Sequence, residues 1–228
     1  MTKKTKKNKK NPDTTDALID FLCKDADGKS TKRLGCPLKK SILWLLISLP
    51  VMTYAITGFG LRPDMALQLS NPQFVLETTF AFLTGITATF IVFTSSIPGF
   101  WERFGAIPVV FAGLWLASLI AGAYQDMQMM GDNALYIYDS SYCILDMVTF
   151  GGPLLILMFL FLRRATPCNP RFTAAMMGLS VFSLTATGWN LHNYVATNLI
   201  QLIFHFGMVV IICLVLYAAG RKLLNWQD

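Results

Sequence analysis

Residues 199–222 read Leu-Ile-Gln-Leu-Ile-Phe-His-Phe-Gly-Met-Val-Val-Ile-Ile-Cys-Leu-Val-Leu-Tyr-Ala-Ala-Gly-Arg-Lys, a largely apolar run that contains His205 and is closed by a basic pair. Its length matches the ~20 residues that carry a helix across a ~30 Å hydrocarbon core. Working back along the chain, five more stretches of this kind lie at about 41–60, 74–95, 106–124, 143–162 and 172–190, with the last run covering about 199–220. A chain that is 54% hydrophobic and 14% charged is not a soluble globular domain by composition. The expected fold is all-α: a polytopic bundle of six transmembrane helices over residues 41–228, preceded by a short N-terminal segment, residues 1–40. Because backbone polar groups must be satisfied inside the hydrocarbon, the spans are expected as helices packed together. Gly85 with Ala81 and Ala88, Gly113 with Ala117, and Gly178 with Ala174 offer small-residue spacings for close approach.

Charge orients these spans. Of the 19 Lys and Arg residues, twelve fall within residues 1–40, and Arg62 is the only one expected on the far side of the membrane. The positive-inside tendency therefore puts both termini in the cytoplasm. The Lys-rich leader is followed by polar and acidic residues rather than an apolar core, so it does not read as a cleaved signal peptide. Beside a membrane, such a basic tail is expected against anionic lipid, and direct nucleic-acid binding is not expected. The tail is expected to be partly disordered, with a short helix at about 14–25. Asp13 is a candidate cap, and Leu18, Phe21 and Leu22 form an apolar stripe at i, i+3 and i+4. A helix this short is marginal in water and would order best against a partner groove or the bilayer.

Ionisable groups inside spans are candidates for function because they are costly there. The candidates are Glu77, Asp146 and His205, with His192 at the end of the fifth span and Arg62 and Asp64 in the first outer loop. The topology gathers them in the outer half, where three readings are open. They form hydrogen-bonded glue between helices, with Glu77 or Asp146 paired with Arg62; or a sensor whose occupancy changes helix packing; or a metal or proton path. Cys143, at the top of the fourth span, is the one cysteine of five facing the oxidising side. Cys143, His192 and His205 are weak metal candidates, since they lack the short fixed spacing of a readable zinc site. No GxSxG, HExxH or phosphate-binding loop occurs, so no catalytic function and no cofactor are expected. A small proton- or cation-coupled transporter or channel using Glu77, Asp146 and His205 is the alternative function. A structural subunit of a larger membrane complex is a third.

Several short motifs share an order. They are Gly60-Leu61-Arg62-Pro63-Asp64, Phe74-Val75-Leu76-Glu77, Pro98-Gly99, Leu162-Arg163-Arg164-Ala165-Thr166-Pro167, Leu191-His192 and His205-Phe206-Gly207, with Thr15-Asp16-Ala17-Leu18-Ile19 and Lys32-Arg33-Leu34 in the tail. Together they resemble the NrsF-type six-helix membrane anti-sigma factors over about residues 14–226. The resemblance implies a regulator in the bacterial inner membrane that holds an extracytoplasmic-function sigma factor through its cytoplasmic N-terminal segment and releases it on an envelope signal. Leu18, Phe21 and Leu22 would then anchor the partner, with Lys32 and Arg33 steering it or lipid headgroups. Arg62, Asp64, Glu77, Cys143, Asp146, His192 and His205 would form the sensing cluster. In the resembled family a second outer cysteine follows the Leu-His pair, and Asn193 stands there in this chain. A signal carried by a two-thiol disulfide or metal is therefore not expected.

Overall fold

The computed structural model describes residues 36–60, 62–131, 141–162, 167–192 and 197–224, with the side chains of 55–59, 141–144 and 146 outside the description. The chain divides into residues 1–35 and 36–228. The expected tail helix, with Leu18, Phe21, Leu22, Lys32 and Arg33, lies outside the described residues.

Where apolar runs were expected to form helices, helices are found. They are α1 (Pro37–Phe59), α3 (Pro72–Thr94), α5 (Ala106–Met130), α6 (Ser141–Leu162), α7 (Pro170–His192) and a final helix. The final helix opens as α8 (Asn198–Ile200), passes through a π-helical turn (Gln201–Phe206) and continues as α9 (Gly207–Leu224). Two short helices, α2 (Met65–Leu69) and α4 (Phe100–Phe104), occupy connections that the prolines and glycines mark as breaks. Pro72 is the first residue of α3, where its missing N–H is not needed; Asn71 accepts from Gln73 N at 3.0 Å to cap the helix. α5 runs past its expected end near Tyr124 to Met130, and Asp126 on that added turn accepts from Asn198 N at 2.6 Å.

Among the described residues three helices are long and apolar enough to cross a membrane: Pro72–Thr94, Phe100–Met130 and Asn198–Leu224. The fully described part of α6, Met147–Leu162, is apolar as well. This is fewer than the six expected spans, and α7 shows one physical reason. It is the least apolar of the long helices, rich in Ser and Thr, and nearly every side chain from Thr173 to Asn190 is buried. Its neighbours α3, α6, α9 and α1 pack around it, so it needs little apolar surface of its own.

The α7 interfaces show why small residues sit where they do. A Cβ on Gly85 would lie 2.5 Å from Leu184 Cγ, so α3 and α7 approach over a residue without a side chain. Beside it, Thr89 Oγ1 and Ser180 Oγ share a hydrogen bond at 2.6 Å, and Ser180 Oγ also donates to Gly85 O at 3.1 Å. Gly178 meets Leu216 of α9 in the same manner. Gly113, which with Ala117 offered a small-residue spacing, has open space around it among the described residues. Trp44, Trp115, Leu119, Met147, Met158 and Leu184 are among the side chains that fill the core.

Candidate functional site

The polar cluster is assembled at one end of the bundle, where α1 and α7 finish and α3 begins. Gly60 ends α1 with φ of +89°, a conformation that favours glycine, and the chain turns onto the end of α7. Three contacts fasten this turn. Gly60 O lies 2.7 Å from His192 Nδ1; a carbonyl only accepts, so Nδ1 carries the proton. Arg62 N donates to Leu191 O at 3.3 Å, and Arg62 Nη1 to Asn190 O at 3.5 Å. A guanidinium placed on the last carbonyls of α7 also meets the negative end of the helix dipole.

Arg62 is buried and held as a fork. Its Nε donates to Asp64 Oδ1 at 2.8 Å and its Nη2 to Asp64 Oδ2 at 3.0 Å, while its guanidinium lies 5.2 Å from the centre of the Phe74 ring. Gln68 of α2 adds a 3.0 Å bond to Asp64 Oδ2. The hydrogen bonds from Arg62 and Gln68 hold the Asp64 carboxyl well below the usual carboxylate range. A depressed carboxylate contributes its stability above the unfolded pKa of ~3.9 and loses it only as pH falls below that. The Arg62–Asp64 pair is therefore constant between about pH 8 and 5. Melting curves of wild type and Asp64→Asn across that window are expected to run parallel, the variant lower throughout. Curves that converge near pH 5 would contradict this.

Beneath the latch, Asn190 Nδ2 donates to Glu77 Oε1 at 3.1 Å, and both residues are buried. Arg62 therefore pairs with Asp64, and Glu77 with Asn190; of the pairings left open for Arg62, Glu77 does not take the guanidinium, because Asp64, two residues away, captures its fork. Next to Asn190, the Trp189 ring meets the His205 ring edge to face at 4.0 Å between centres. His205 and Gln201 belong to the π-helical turn, an element frequent at functional positions. Asn190 Oδ1, Gln201 Oε1, Trp189 Nε1 and His205 Nε2 are buried with no hydrogen-bond partner among the described residues.

Of the expected sensing residues, Arg62, Asp64 and His192 thus meet at one latch. Glu77 joins it through Asn190, and His205 approaches through Trp189. The side chains of Cys143 and Asp146 lie outside the described residues. Among the described residues no three His, Cys, Asp or Glu side chains come together as a metal site. Asn190, Gln68, Trp189 and Gln201 belong to the site without having been singled out from sequence. Asn190 carried a usable signal as the polar residue ending a buried span; the π turn carried none.

A family model described as "Negative regulator of sigma F" matches residues 26–226. The chain is also 28% identical over 216 residues to a protein named anti-sigma-F factor NrsF from Caulobacter vibrioides (strain NA1000 / CB15N). That alignment covers 93% of this chain and 99% of the Caulobacter protein. No solved structure matches.

Proposed function

Since the chain belongs to the NrsF family, the negative regulators of sigma F, we propose that it is a membrane-embedded anti-sigma factor. It holds an extracytoplasmic-function sigma factor through its N-terminal segment and releases it on an envelope signal. The observation that carries this reading is the family match, which runs from the end of the tail through the entire described bundle. In this reading α1, α3, α5, α6, α7 and α8–α9 are six spans of the bacterial inner membrane, with both termini in the cytoplasm and the Arg62 end facing outward. Leu18, Phe21 and Leu22 seat on the sigma factor, and Lys32 and Arg33 steer it or anionic headgroups.

The latch supplies a route for the signal. α1 has 23 residues, about 35 Å at 1.5 Å per residue, so one continuous helix, with Pro50 inside it, joins the outer cluster to the segment that binds the partner. Its outer end is fixed to α7 by the Gly60–His192 and Arg62–Leu191 contacts, and α7 is fixed to α3 by Asn190–Glu77. A stimulus that opens these few hydrogen bonds frees the far end of α1 and changes how the tail is presented. In this reading Cys143 and Asp146, near the start of α6, also belong to the sensing cluster, and Asn193 stands where a second cysteine would make a disulfide within the molecule.

A sigma-dependent reporter tests the reading in cells. Deleting the chain is expected to raise transcription from promoters of its sigma factor, and supplying the chain in excess to silence them. A reporter indifferent to both changes would remove the anti-sigma function.

A further inference from the structure

We infer that the bundle carries a binding site for one anionic phospholipid at the end opposite the latch, its acyl chain lying in a groove between α6, α7 and α9 and its phosphate on Arg171 and Arg221. The groove has a volume of about 270 Å³. Leu155, Ile156 and Phe159 of α6, Met177 of α7 and Leu216 and Leu223 of α9 are among the residues lining it, and its exposed surface is almost wholly apolar. It lies where α7 begins and α9 ends, since a Cβ on Gly220 would sit 2.7 Å from Arg171 Cα.

The charge at its mouth says what occupies it. Arg171 stands one turn before Ala174, another groove residue, so the guanidinium and the groove share one face of α7. Arg171 Nε is buried with no acceptor among the described residues, and its guanidinium lies over the Tyr217 ring at 5.8 Å. Arg221 and Lys222 are exposed on the last turn of α9, next to Gly220 and its contact with Arg171. A buried N–H donor without an acceptor, two further cations and an apolar channel leading away from them match a phosphate ester with a hydrocarbon tail. A zwitterionic lipid brings its own cation to that mouth and is the poorer fit.

This site rests on the membrane reading but not on the sigma factor. Labelling of Cys168, exposed at the same end, in right-side-out and inverted vesicles tests the membrane reading separately. The site itself is tested on the purified full chain in neutral detergent, with phosphatidylglycerol or phosphatidylcholine added and bound lipid read by native mass spectrometry. Phosphatidylglycerol is expected to be retained preferentially. At about fivefold in affinity per basic residue near a headgroup, Arg171→Gln with Arg221→Gln should weaken its retention roughly ten- to thirty-fold. Ile156→Trp changes a side chain that is 62% exposed, so the fold tolerates it, and fills the groove without touching the charges. It is expected to lower retention of both lipids. Equal retention of the two lipids by wild type, or full retention by Ile156→Trp, would overturn the site.

Discussion

Replacing Leu18 and Leu22 together by Asp is expected to abolish capture of the sigma factor while leaving the bundle's melting temperature unchanged. The two residues are four apart, so on a helix they share the face that carries Phe21. Burying a leucine side chain against a partner is worth about 1.5–3 kcal/mol, so losing two removes roughly 3–6 kcal/mol, more than a hundredfold in affinity. Two carboxylates set against an apolar groove add a desolvation cost to that loss. The substitutions lie in residues 1–35, a unit separate from the bundle, so the melting curve should not move. Affinity retained within about threefold would place the contact elsewhere in the tail.

The second large effect is at Asn190. Asn190→Leu removes the hydrogen-bond donor to Glu77 and leaves that carboxyl group buried without its partner. Interhelical hydrogen bonds inside membranes contribute ~0.6 kcal/mol on average and up to ~1.7, whereas an orphaned buried polar group costs about 1–3 kcal/mol. The orphaned group dominates, so a fall of roughly 2–12 °C in melting temperature is expected for a chain of this size. Asn190→Leu combined with Glu77→Leu should melt higher than Asn190→Leu alone, because neither polar group is then stranded. In cells Asn190→Leu is expected to raise basal sigma-dependent transcription, since the latch that fixes α1 to α7 and α3 is weakened at its centre. A lowered melting temperature with unaltered transcription would reduce the latch to helix glue.

The long helices were legible as apolar runs of about 20 residues, with the Lys39-Lys40 pair in the first turn of α1 and the Arg221-Lys222 pair in the last turn of α9. α7 is the least apolar of the long stretches, with Ser180, Ser183, Thr185 and Thr187, and all four are buried. Of the costly ionisable groups singled out from sequence, Arg62, Asp64, Glu77, His192 and His205 lie together or close by at one end of the bundle. Their partners were not legible. Which carboxylate takes the Arg62 fork depends on the turn at Gly60 and on α2, and neither has a periodic signature. The Asn190–Glu77 bond joins residues 113 positions apart, a distance that only packing closes. The π turn at Gln201–Phe206 depends on a local shift in backbone register within an otherwise ordinary apolar run, so nothing in the residue types announces it. Gly113 shows the converse: a small-residue spacing that the fold leaves open.

The central claim is that the chain holds a sigma factor at the membrane, and co-purification tests it most directly. The full chain is extracted from membranes in mild detergent and used to capture the sigma factors of the same cell. One extracytoplasmic-function sigma factor is predicted to elute with the folded chain and to be lost from the Leu18→Asp/Leu22→Asp variant. A folded wild-type chain that elutes from membranes with no sigma factor bound would contradict the claim.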